Sequence, residues 1–164
     1  TFDPRSEGSP VMREGKGDLN MSPSQAVDRL FQILDFPFDE ERPDFRTMDY
    51  GPQVRDAVEA QAAAVADQAT LTQEHNLRTG TLRTIELADG SALTFPVLLR
   101  TNTFDVKSGT YLEAPPAFAH FAGEDIINNS ATIMTDVFLA VHIKTDGTPV
   151  VLAAREQVVG ASGS

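Results

Sequence analysis

Apolar side chains recur at helical spacing through Ala26, Val27, Leu30, Phe31 and Leu34, which predicts a helix. Its start is written locally. Ser22 suits the N-cap, Pro23 the first helical position, and Gln25 completes a capping-box spacing. Pro37 disfavours helical geometry in Phe36, so the helix should stop near Asp35 or Phe36. A second helix is expected over 52–72. The run from Asp56 to Thr70 is rich in alanine, which loses no side-chain entropy on becoming helical. Val54, Val58, Ala62, Val65 and Ala69 share one face of it. Side chains this small permit close approach to a sheet, or to a second copy of the same helix.

From residue 80 the period shortens to that of strands. Thr81 to Leu87 and Ala92 to Leu99 flank Ala88-Asp89-Gly90-Ser91, and Asp-Gly between β-rich runs signals a hairpin. Pro96 cannot donate to a ladder, so it marks an edge, a bulge or an interruption. A second hairpin joins Asp136 to Lys144 with Thr148 to Ala154 through Thr145-Asp146-Gly147. Val137, Leu139, Val141 and Ile143 take one face of its first strand, and Phe138, Ala140 and His142 the other. Both faces are largely apolar, which predicts a central strand or one covered on both sides.

Between these elements the pattern is irregular. Residues 1–20 carry Pro4, Pro10, Gly8, Gly15 and Gly17 without a sustained period and are read as an extended or disordered arm. Residues 35–50 alternate aromatics with acids and are read as a loop pinned by its aromatics. Lys107-Ser108-Gly109 reads as a turn and Tyr111, Leu112 and Glu113 as a short strand. A helical turn is expected between Ala117 and Asn129, anchored by Phe118, Phe121, Ile126 and Ile127. Residues 160–164, GASGS, read as a flexible tail. The expectation is therefore an α+β chain. Residues 21–159 form one domain of two N-terminal helices and a mainly antiparallel sheet built from hairpins, with an extended N-terminal arm.

Composition narrows what such a domain can do. The 164 residues include 13 Lys and Arg against 24 Asp and Glu, a formal net charge of −11. A balance this acidic argues against non-specific nucleic-acid binding and against docking on an anionic membrane surface. Cysteine is absent, so thiol nucleophiles, disulfides and zinc–thiolate sites are excluded for this chain. No apolar run approaches the roughly 20 residues of a membrane helix.

Candidate chemistry is sparse. His75, His120 and His142 show no metal-ligand spacing. His120 is flanked by Ala119 and Phe121 and followed by Glu124 and Asp125, so it is the candidate general base. His142 reads as a core or interface residue, and His75 as a partner for the C-terminal end of the Ala-rich helix. Ser108 and Ser130 lack a neighbouring base, and Gly15-Lys16-Gly17 matches no phosphate loop. Asp39-Glu40-Glu41 and Asp44 read as a solvated charge run rather than a calcium loop, and Glu113 as half of an unassignable carboxylate pair. No catalytic residue, cofactor or metal site is assigned.

The arm, the small-residue helix and the hairpins together suggest a structural or interaction subunit of a larger assembly. Its partners would be protein subunits, as a homo-oligomer or on the lattice of another protein. A bacteriophage head or tail accessory protein, of decoration, cement or connector type, is the concrete version, which would make it virion-associated. Phe2, Val11 and Met12 of the arm, with Val58, Ala62 and Val65 of the second helix, are the expected partner contacts. The alternative is a small-molecule-binding or enzymatic α+β barrel-like domain with a pocket near His120, to which Phe95, Phe118, Phe121 and His142 would contribute.

Overall fold

The computed structural model describes residues 19–38 and 50–164. Helix α1 spans Pro23–Leu34 and starts as its sequence dictates. The Gln25 N–H donates to Ser22 Oγ at 3.3 Å, and the Ser22 N–H donates to Gln25 Oε1 at 2.9 Å. Ala26, Val27, Leu30, Ile33 and Leu34 are buried, so one stripe of α1 faces the core.

Helix α2 spans Tyr50–Val65, shorter at its end than the expected 72. The Gln68 N–H closes a turn on the Val65 carbonyl, and strand β1 begins at once, running Ala69–Leu77. Ala69 is thus a strand residue and not part of the helical stripe. Ala69, Leu71, Gln73 and His75 point inward, while Thr70, Glu74 and Asn76 are exposed. The two polar inward residues hid this alternation from a reading based on hydrophobic pattern.

The rest of the sheet is β2 (Thr84–Glu86), β3 (Ala92–Thr94), β4 (Val97–Val106), β7 (Ser130–Ile143) and β8 (Pro149–Gly163). Its six strands lie along antiparallel tracks: β1 then β2, β3 then β4, β7, and β8 at the far edge. The track of β3 and β4 breaks at Phe95 and Pro96, as the proline requires. Pro96 gives no donor, yet its carbonyl still accepts from Leu139 N–H at 3.1 Å. Between β4 and β7 the chain forms β5 (Leu112–Glu113), helix α3 (Pro116–Ala122) and β6 (Ile126–Ile127), with β5 and β6 paired. The fold is α+β with a mainly antiparallel sheet, and α3 adds a third helix to the two expected at the N-terminal end.

β7 is central, as expected, but among the described residues only one of its faces is covered. Val137, Leu139, Val141 and Ile143 are buried, whereas Phe138 on the opposite face is 42% exposed. β8 continues through 160–163, the stretch read as a tail. Gly160, Ala161, Ser162 and Gly163 pair with Met134, Ile133, Thr132 and Ala131. Main-chain pairing needs no large side chains, so a Gly- and Ser-rich composition does not prevent it.

Two apolar clusters make the core. One joins α1 to Leu98, Val137, Leu139, Val141 and Ile143. The other gathers Val58, Leu71, Phe104, Leu112, Phe118 and Ile127. No helix among the described residues is long and apolar enough to cross a membrane.

Candidate functional site

The inward face of the sheet can be read in rows across β1, β4, β7 and β8. Leu71, Phe104, Ala131 and Gly163 form an apolar row. Next come Gln73, Asn102, Ile133 and Ala161, then His75, Arg100, Thr135 and Val158, then Leu77, Leu98, Val137 and Glu156. A polar band of Gln73, Asn102, His75, Arg100 and Thr135, with Glu156 at its edge, therefore crosses the middle of a face that is apolar at both ends. It runs between the two apolar clusters.

A groove of about 410 Å³ opens over this band. Tyr50, Val54, Val58 and Gln61 of α2 form one wall, and Gln73, Arg100, Asn102 and Glu156 lie on the sheet side. The alanines of α2 leave this room, because Ala57 lines the groove where a larger side chain would fill it.

The polar groups are held in place by one another. Arg100 Nη1 and Nη2 each donate to a Glu156 carboxylate oxygen at 2.8 Å, a bidentate pair. The Tyr50 hydroxyl donates to the same carboxylate at 3.4 Å. Burial first, and then the Glu156 carboxylate, push the Tyr50 phenol well above its ordinary pKa, against the opposing pull of Arg100. Gln73 Nε2 donates to the Leu34 carbonyl at 2.8 Å, and Gln73 Oε1 accepts from Asn102 Nδ2 at 3.3 Å. This ties the floor of the groove to the end of α1.

His75 lies next to this floor, with its side chain wholly buried. Asp35 Oδ1 accepts from the His75 backbone N–H at 2.7 Å and sits 2.8 Å from Nδ1. A carboxylate offers only acceptors, so Nδ1 is the donor of this pair. Neither His75 Nε2 nor Arg100 Nε, both buried, has a hydrogen-bond partner among the described residues. The two residues are register partners on the same face.

Among the described residues, Val58 is the one expected site residue that lines the groove. His120 is exposed on α3, edge-on to Phe121 at 5.1 Å, and does not line the groove. His142 lies on the outward face of β7, its Nε2 2.9 Å from Ser91 Oγ. His75 pairs with Asp35 and not with the end of α2, because β1 carries it away from that helix. Phe118 is wholly buried, while Phe95 and Phe121 are exposed. Val58 is buried in the second apolar cluster, and Ala62 and Val65 pack against it. Phe2, Val11, Met12 and the acids Asp39, Glu40, Glu41 and Asp44 lie outside the described residues. Among the described residues no group of three or more His, Asp or Glu is placed to hold a metal ion.

Arg100, Asn102, Glu156 and the Asp35–His75 pair were not singled out in the sequence. The available signal was period-two placement of Gln73 and His75 in step with Ala69 and Leu71. No protein-family model matches the chain, and neither a curated protein nor a solved structure matches it.

Proposed function

We propose that this chain is a small-molecule-binding domain and that its site is the groove between α2 and the inward face of the sheet. The observation that carries this reading is the polar band across the middle of the core face. A buried polar atom left without a partner costs about 1–3 kcal/mol, so a face serving only as core is more stable with apolar residues there. Here four residues of the band, Gln73, Arg100, Asn102 and Glu156, line an open space of ordinary ligand-site size instead. The site lies under α2, away from His120.

Amide and side-chain NMR of the full chain, titrated with a fragment library, tests this. Hits should perturb Val54, Gln61, Gln73, Arg100 and Asn102 together, and Asn102→Leu should weaken them. Hits confined to the outward face around Phe138, or none at all, would overturn the reading.

One observation favours the second reading, an assembly subunit. Residues 152–157 of β8 are exposed in an unbroken run, and Phe95 and Phe138 are 40% and 42% exposed. A long edge strand beside exposed aromatics is a surface suited to strand addition by another protein subunit.

A further inference from the structure

β8 presents a long backbone edge. It runs for 15 residues, Pro149–Gly163, and among the described residues it pairs only with β7. The direction of its free groups follows from one hydrogen bond. The Leu139 N–H donates to the Pro96 carbonyl at 3.1 Å, on the side of β7 away from β8. Leu139 stands opposite Ala154, so this is a pair whose main-chain groups point away from each other. The N–H and C=O of Ala154 therefore face the free edge. Glu156 and Val158 follow at period two in the same register, opposite Val137 and Thr135, and face it too. All three carry their side chains on the inward face. An antiparallel strand bonded to them places the side chains of its bonding residues inward and those of the alternate residues outward.

The N-terminal segment enters the fold at one end of this edge. Leu19 is buried, and the Asn20 N–H donates to the Thr145 carbonyl at 3.3 Å, in the turn between β7 and β8. The 18 residues ahead of Leu19 thus depart from the turn that precedes β8. Fully extended they reach about 60 Å, against about 50 Å for β8. Followed along β8, their chain direction is antiparallel to it. Hydrophobicity keeps no period in this segment, but charge does. Asp3, Arg5, Glu7 and Arg13 take odd positions, and the even positions from Phe2 to Met12 carry no charge. Pro4 and Pro10 are both even as well. A proline has no N–H to give, so only the odd residues can bond to β8, with both prolines turned to solvent. That register sends the charged set to the inward side, where Glu156 lies. It sends Phe2 and Met12 to the outward face, where Phe138, opposite Arg155, is 42% exposed. The missing donors and the missing charges select the same residues for the same face.

We propose that residues 2–13 of the same chain add to the free edge of β8 as an antiparallel strand, with Phe2 and Met12 on the outward face of the sheet. An uncovered edge of this length is a template for aggregation, and such a strand closes it. Another subunit that adds a strand to β8 must first displace these residues. The proposal does not depend on the groove.

Amide hydrogen exchange on the full chain tests it. The N–H groups of Arg155 and Gln157 face β7 and are protected in either case. Those of Ala154, Glu156 and Val158 are protected only when a strand covers the edge, and the wild type should protect all five. Glu7→Pro with Ser9→Pro removes two donors aimed at β8 and should speed exchange at Ala154, Glu156 and Val158 about tenfold or more. Ser6→Pro with Gly8→Pro changes only positions turned to solvent and should leave exchange there unchanged. Leu139–Ile143 should stay protected in both variants, which shows that the domain is folded. Exchange at the unprotected rate for Ala154, Glu156 and Val158 in the wild type would overturn the added strand. An equal response to odd and even prolines would overturn its register. Protection should also survive tenfold dilution at a single-chain mass in sedimentation. Protection that fades on dilution would give the edge to a second copy and overturn the assignment to the same chain. None of these results bears on fragment binding in the groove.

Discussion

Ser22 closes a reciprocal pair of hydrogen bonds with Gln25 at the start of α1, and this pair satisfies donors that the first helical turn leaves open. Ser22→Ala should cost about 1 kcal/mol, read as a lower denaturation midpoint at unchanged slope. Tyr50 makes a prediction of its own. Its phenol is raised above the ordinary value of about 10, so the fold favours the neutral form. That contribution is complete below the unfolded-state pKa and is lost as pH rises through the folded-state value. Chemical denaturation between about pH 8 and 11 should therefore show wild type losing more stability than Tyr50→Phe. Parallel curves for the two proteins would remove Tyr50 as the source. Ser22 was legible because its partners are three residues away or fewer. Tyr50 was not, because Glu156 and Arg100 reach it from distant strands.

The hairpins are the elements that the sequence specified best. Asp89 Oδ1 accepts the Ser91 N–H at 3.0 Å, and Asp146 Oδ1 accepts the Thr148 N–H at 2.8 Å. Hydrogen bonds from Ser91, hydroxyl first and then backbone, hold the Asp89 carboxyl below its ordinary pKa, and the Thr148 backbone does the same for Asp146. Gly147 completes the second turn at φ +83°, a conformation that favours glycine. The strands of the second hairpin are longer than their sequence patterns, since β7 begins at Ser130 and β8 ends at Gly163, whereas the expected strand from Thr81 to Leu87 shrinks to Thr84–Glu86. The end of β8 depends on close approach. A Cβ on Gly163 would fall on the Ser130 carbonyl oxygen, with Ala131 Cα at 2.8 Å. The next residue, Ser164, accepts at its carbonyl from the N–H groups of Asn128, Asn129 and Ser130. Gly163→Ala should release this corner. Overpacking costs about 1–3 kcal/mol, so amide exchange at Asn128–Ser130 should rise about tenfold while Leu139–Ile143 stays protected. Unchanged exchange at the corner would show that the backbone yields there without cost.

At the scale of the molecule, helices on one face and, among the described residues, an opposite face without them leave two surfaces in competition for the function. The groove reading needs no partner subunit, and its expected outcome is a constant single-chain mass across a concentration series in sedimentation. A closed oligomer that Phe138→Lys dissociates would shift the weight to the assembly reading. The sequence alone determined what short-range physics controls: the capped start of α1, both Asp-Gly turns, the break at Pro96 and the inward set of β7. It thereby determined the α+β class. Only the tertiary structure decided the site. Gln73 and His75 come from β1, Arg100 and Asn102 from β4, Glu156 from β8, Tyr50 from α2, and Asp35 from the residue after α1. Their meeting depends on strand register, in which a slip of one residue sends every side chain to the other face. That register follows from pairing across tens of residues, which no local spacing records.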